Sequence, residues 1–210
     1  MSEELVCDAK SFLGHFLQFN KEQQPAERRK NHYQPETWAV LNESASGYCI
    51  HSVGRPKEAR AQVGELIGIR RSIRGQTWKW GIGVIRWLKA DTQDRLMLGI
   101  EMLTPDAAAI GVRGVAQAKH DYQRTLMLPE IRAINQPTTL ITAPVPYRVS
   151  NQLVINILGK EIMIKLSKQV TNTGLFAQFE FEILEQQQPP GTKQTPQHPD
   201  AEFDSVWSSI

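Results

Sequence analysis

Asn42-Glu43-Ser44-Ala45-Ser46-Gly47 is a polar hexapeptide set between the apolar runs Trp38-Ala39-Val40-Leu41 and Tyr48-Cys49-Ile50-His51. An Asn side chain hydrogen-bonds its own backbone in turns, Ser does so more weakly, and Gly accepts positive φ or a close neighbour. The stretch reads as the bend between two strands. Moving outward, Thr37 to about Leu103 is a series of short β runs separated by turn-prone or charged segments such as Gly54-Arg55-Pro56-Lys57 and Asp91-Thr92-Gln93-Asp94. That punctuation belongs to a small barrel or sandwich.

The spacing Asn-x-Ser-x-x-Gly resembles the second signature of the PilZ domain family, bacterial receptors for cyclic di-GMP. Similarity to later PilZ strands continues through Val63 to Arg70, through Gly83-Val84-Ile85-Arg86, and through Gly99-Ile100-Glu101-Met102, covering about 40% of the chain. The resemblance implies an antiparallel β-barrel. It also implies that Arg28 and Arg29 hold the dinucleotide's phosphates and stack its guanines, that Asn42 and Ser44 contact it at the rim, and that Gly47 keeps the turn tight. The family's first signature, Arg-x-x-x-Arg, is altered here, because four residues beyond Arg28 stands His32 and four beyond Arg29 stands Tyr33. The literal Arg-x-x-x-Arg, Arg70 to Arg74, lies downstream. Arg86 joins the candidate ligand residues on its own evidence, since a cation between Ile85 and Trp87 in an apolar strand needs a partner or a ligand.

The rest of the chain divides into four parts. Residues 1–35 read as an amphipathic helix over residues 3–19, with Leu5, Val6, Phe12, Leu13, Phe16 and Leu17 at near-helical spacing, followed by a polar linker. Residues 36–118 form the PilZ-like barrel. Within it, Ala107 to Val115 fits a helical turn or one more strand equally well. Residues 119–184 carry a second β series that reads as a second small barrel or sandwich module, the alternative being an extension of the first sheet. Its last run, Phe176 to Ile183, alternates, with Ala177, Phe179, Phe181 and Ile183 on one face. Leu158-Gly159-Lys160-Glu161 reads as a hairpin in this module.

Residues 185–210 are rich in Gln and Pro and predict disorder, ending in the aromatic motif Phe203, Trp207 and Ile210, which share one helical face as an anchor for a protein partner. Residues 37–118 hold eleven Lys/Arg against seven Asp/Glu, whereas residues 185–210 hold Lys193 against Glu185, Asp200, Glu202 and Asp204. The basic barrel thus suits an anion or the acidic tail.

Two cysteines, Cys7 and Cys49, make no disulfide framework, and the acidic start carries no signal peptide. No apolar run is long enough to span a bilayer, so a cytoplasmic protein is expected. The five histidines are scattered without zinc spacing, and neither a phosphate loop nor a Gly-x-Ser-x-Gly elbow occurs. No cofactor and no catalytic role are therefore expected. The reading is a cyclic di-GMP-responsive adaptor that passes a signal to a protein partner. One alternative is a PilZ-like interaction module that has lost nucleotide binding. The other is an RNA-binding barrel using Trp78, Trp80 and Trp87, which a net charge of +2 opposes.

Overall fold

The computed structural model describes residues 4–8, 36–53, 61–73, 76–77, 80–92, 95–117 and 121–184. Seven strands make the first sheet: β1 (Glu4–Asp8), β2 (Glu36–Ser44), β3 (Gly47–Ser52), β4 (Leu66–Ile73), β5 (Gln76–Thr77), β6 (Gly81–Ala90) and β7 (Leu96–Thr104). Their order is β1-β2-β3-β7-β6-β4-β5, and β1 also pairs with β4. Leu5 lies opposite Trp38 of β2 and opposite Arg71 of β4, so β1 spans the last gap and the sheet rolls into a barrel.

The second unit is a closed barrel of β8 (Ala108–Gly114), β9 (Gln123–Leu128), β10 (Thr139–Thr142), β11 (Gln152–Ile157), β12 (Lys160–Asn172) and β13 (Ala177–Ile183), in the order β10-β13-β12-β11-β8-β9. All of its pairings are antiparallel. Closing the ring leaves no strand edge exposed. The expected hairpin is present as the two-residue turn Leu158-Gly159, both at positive φ (51° and 91°).

Two expectations are corrected. Residues 4–8 form a strand, not the start of a helix; the remainder of the expected helix lies outside the described residues. Leu5-Val6-Cys7 is a short apolar run that periodicity alone cannot assign. Pairing on both edges gives its backbone hydrogen-bond partners, and that tertiary gain outweighs local helix propensity. The second correction concerns Ala107 to Val115, which supplies β8 to the second barrel and not a segment of the first. β8 pairs with β9 and β11, and Ala108, Ile110 and Val112 alternate into the second core.

Three apolar clusters hold the molecule together. Trp38, Ile50, Ile67, Ile69, Ile85, Leu98 and Ile100 fill the first barrel. Val112, Met127, Leu140, Ile155, Leu166 and Phe179 are among those filling the second. The third cluster lies between the two: Leu66, Ile82 and Val84 on outer faces of β4 and β6 meet Leu126, Leu128, Ile141 and Phe176 of the second barrel. It explains why Gly81 to Ile85, Leu66 to Ile69 and Thr139 to Thr142 read as unbroken buried runs, since strands covered on both faces lose the polar alternation. It also takes up the Phe176 and Gln178 face of the last run. Gln178 is buried with its amide donating to the Thr139 hydroxyl at 2.9 Å.

Candidate functional site

The hexapeptide is the β2–β3 hairpin, with Ser44 opposite Gly47 and Ala45-Ser46 as a two-residue turn. Ser44 Oγ donates to the Gly47 carbonyl at 3.3 Å and lies 3.5 Å from Ser46 Oγ. The turn is tied to the neighbouring strand, where the Met102 N–H donates to the Ser46 carbonyl at 2.9 Å. Gly47 is buried, and a Cβ on it would stand 2.0 Å from the Ile100 carbonyl oxygen. Close approach of β3 to β7, not a special φ, is what requires glycine here. A bulge in β2 inserts Leu41 between Val40 and Asn42, resetting the register so that Asn42 pairs with Cys49.

A second bulge shapes the opposite wall. In β6, Ile85 pairs with Ile100 and Trp87 with Gly99, which leaves Arg86 as the extra residue. Strict alternation would send one of two successive side chains inward; here Arg86 and Trp87 are both exposed. Bulges re-aim side chains in this way beside binding sites. Arg86 Nε donates to Glu101 Oε2 at 2.6 Å, with both side chains nearly half exposed, so the pair contributes no more than about 1 kcal/mol. Trp87 packs against Gly99, whose missing Cβ would fall 2.0 Å from the indole, and the Lys89 ammonium stands 5.1 Å from the ring centre.

These walls enclose an open cavity of ≈ 370 Å³. Its lining brings together four sequence-predicted ligand residues, Asn42, Ser44, Gly47 and Arg86. Arg28 and Arg29, and the tail residues Phe203, Trp207 and Ile210, lie outside the described residues. The sequence reading missed Glu43, Tyr48, Cys49, Trp87 and Glu101 as lining residues. Trp87 carried a signal, an aromatic next to a cation in a strand. Glu101 carried one only in hindsight, because its pairing with Arg86 depends on the bulge. Among the described residues, the acidic and basic lining is Glu43 and Glu101 against Arg86. No helix among the described residues is long and apolar enough to cross a membrane.

Comparison with known proteins places this geometry in a family. Residues 8–109 match the family described as the cyclic-di-GMP receptor FimW, middle PilZ domain, and residues 108–184 match the FimW C-terminal β-barrel domain. The junction of the two matches coincides with the start of β8. The chain is similar to the cyclic-di-GMP receptor FimW of Pseudomonas aeruginosa strain PAO1, at 35% identity over 182 residues, covering 81% of this chain and 29% of that protein. The chain thus spans less than a third of its relative's length. No solved structure matches it. With the hairpin signature, the PilZ strands and the second barrel all in place, the chain belongs to the PilZ domain family, in the FimW type where a second β-barrel follows the PilZ domain.

Proposed function

We propose that this protein binds cyclic di-GMP in the cavity between the β2–β3 hairpin and the β6 bulge and works as a cytoplasmic adaptor, without catalysis, that hands the signal to a protein partner. The observation that carries the reading is the convergence of Asn42, Ser44, Gly47 and Arg86 on one cavity. The similarity to a protein named a cyclic-di-GMP receptor supports it. In the proposed complex, Ser44, Asn42 and the backbone beside Gly47 hold the dinucleotide at the rim, and Arg86 exchanges Glu101 for a phosphate or a base edge.

Charge assigns the remaining work. A cavity lined by two carboxylates and one guanidinium does not attract a dianion by itself, so Arg28, Arg29 and Lys30 have to bring the positive charge. Their reach permits it. Asn42 is six residues along β2 from Glu36, about 20 Å, while Arg28 is eight residues before Glu36 and can span up to about 27 Å of extended chain. Cyclic di-GMP would therefore draw the segment between β1 and β2 onto the hairpin, shifting the population toward a closed arrangement. The tail residues Phe203, Trp207 and Ile210 are the proposed partner contact.

Calorimetric titration of the full chain with cyclic di-GMP tests the reading. Wild type should bind in the micromolar range or tighter, and Arg28→Ala/Arg29→Ala and Ser44→Ala should each weaken binding at least tenfold. Absence of binding at tens of micromolar would remove the receptor role and leave the interaction-module reading, in which the acidic lining stays unfilled by nucleotide.

A further inference from the structure

A chain of hydrogen bonds runs from the second barrel to the strand that carries Arg86. Ile85, the residue before the bulge, donates its N–H to the Glu65 carbonyl at 2.9 Å and accepts the Gly64 N–H on its own carbonyl at 2.7 Å. Gly64 is buried, adopts φ +88°, and its carbonyl accepts the Thr173 hydroxyl at 2.9 Å. Thr173 belongs to the turn between β12 and β13. Its Oγ1 also accepts the N–H groups of Leu175 and Phe176, each at 3.3 Å, and its own N–H donates to the Phe176 carbonyl at 3.0 Å. A hydroxyl has one proton and two lone pairs, and all three are used. Phe176 is fully buried between the barrels.

The bulge makes this chain matter for the cavity. Arg86 has no partner of its own in the β6–β7 register, so the direction of its side chain follows from how its flanks are held. Trp87 on one side rests against Gly99. Ile85 on the other side is held by Gly64 and Glu65, and Gly64 in turn by Thr173. We propose that Thr173 of the second barrel is a positioning residue for the ligand site of the first, acting through Gly64 and Ile85 on the β6 bulge. This assigns the second barrel a part in ligand recognition, and it rests on the cyclic di-GMP reading. Removing the hydroxyl leaves the buried Gly64 carbonyl without its side-chain donor, which relaxes the segment that holds Ile85.

The test uses the full chain as wild type, Thr173→Val, Thr173→Ser, Thr173→Cys and Phe176→Leu. Two readouts are taken: calorimetric affinity for cyclic di-GMP, and, without ligand, the Arg86 Nε–H resonance with amide exchange at Ile85. Thr173→Val keeps the shape and loses the hydroxyl. It should weaken affinity about fivefold, the worth of one net hydrogen bond, shift the Arg86 resonance and speed exchange at Ile85. Thr173→Ser should stay within twofold of wild type, and Thr173→Cys, a weak donor, should fall between.

Phe176→Leu loosens the same interface without touching the Gly64 carbonyl, and should leave both readouts near wild type. Unchanged readouts in Thr173→Val, or an equal effect in Phe176→Leu, overturn the assignment. If wild type fails to bind cyclic di-GMP, the receptor reading falls separately, and the ligand-free Arg86 and Ile85 signals still decide the role of Thr173. A Thr173→Val chain that does not fold leaves the graded Ser and Cys variants, which overturn the assignment if they match one another in both readouts.

Discussion

Replacing Gly47 with alanine puts a methyl 2.0 Å from the Ile100 carbonyl oxygen, 3.1 Å from its carbon and 3.2 Å from Glu101 Cα. All three obstacles are backbone, so no rotamer change relieves them. Ordinary carbon contacts lie at about 3.5 Å, so the start of β3 must move away from β7 by about 1.5 Å. Opened by that amount, the 2.9 Å bond from Met102 to Ser46 and the adjoining Gly47–Glu101 and Tyr48–Ile100 rungs stretch beyond useful hydrogen-bond length. Two or three lost backbone bonds cost about 1 kcal/mol each, and lower chain entropy of the unfolded alanine variant returns about 0.5–1 kcal/mol.

The net destabilisation is about 2 kcal/mol, and a chain of this size should lose about 4–8 °C in Tm. Thermal unfolding by circular dichroism reads the stability, and titration with cyclic di-GMP reads the site, where affinity should drop at least tenfold as Ser44 and Asn42 leave their places. Gly159→Ala is the control: its φ is +91° but no atom lies within 4 Å, so it carries only the cost of the left-handed backbone, about 1–2 kcal/mol. Gly47→Ala with a Tm within 1 °C of wild type and unaltered affinity would refute the close-approach explanation of this glycine.

Gly99→Ala meets a side chain instead of backbone, so Trp87 should swing off the cavity wall with little loss of stability, seen as a red-shifted indole emission and weakened cyclic di-GMP binding. Phe176→Ala should lower stability by about 3–5 kcal/mol and melt both barrels in one transition, because its ring fills the core they share; two separated calorimetric transitions would contradict this. Tyr147 is buried, donates to Gln123 Oε1 at 2.7 Å, and burial pushes its hydroxyl from 10.0 up to about 12. Its folded-state value is raised, so its stabilising contribution is complete below pH 10 and is lost as pH rises toward 12, at about 1.4 kcal/mol per pH unit. Tyr147→Phe should flatten that alkaline limb of a denaturant titration series.

Local chemistry made part of this molecule legible. The Asn42 to Gly47 turn, the Leu158-Gly159 hairpin and the alternation of Ala177, Phe179 and Phe181 each depend on residues within a few positions of one another. The ring-closing strand was hidden because Leu5 to Cys7 becomes a strand only through neighbours about thirty and more than sixty positions away. The shared core was not visible: Leu66 to Ile69 and Gly81 to Ile85 read as strands of the first barrel, and the cover on their outer faces comes from residues of the second barrel far along the chain. Arg86 was recognised as needing a partner, and Glu101 supplies it. The bulge that turns Arg86 and Trp87 outward together comes from register across β6 and β7, which no single stretch of sequence encodes.

The pairing of β1 with β4 joins Leu5 to Arg71, contacts that lie far apart along the chain. Searching for that contact is slow, because the entropy of closing a long loop must be met before any of its hydrogen bonds form. On a ribosome, residues 4–8 emerge well before β4 and are therefore among the last to complete their pairing in the first barrel. Until β4 has been made, β1 has only β2 to pair with, and β2 itself is not synthesised until residues 36–44 emerge. A nascent chain passes through a stage with open edges on both β2 and β4, the stage at which it is most exposed to mispairing with a second copy. Slowing translation just after residue 73 would lengthen that stage, and covalently tethering β1 to β2 would shorten it.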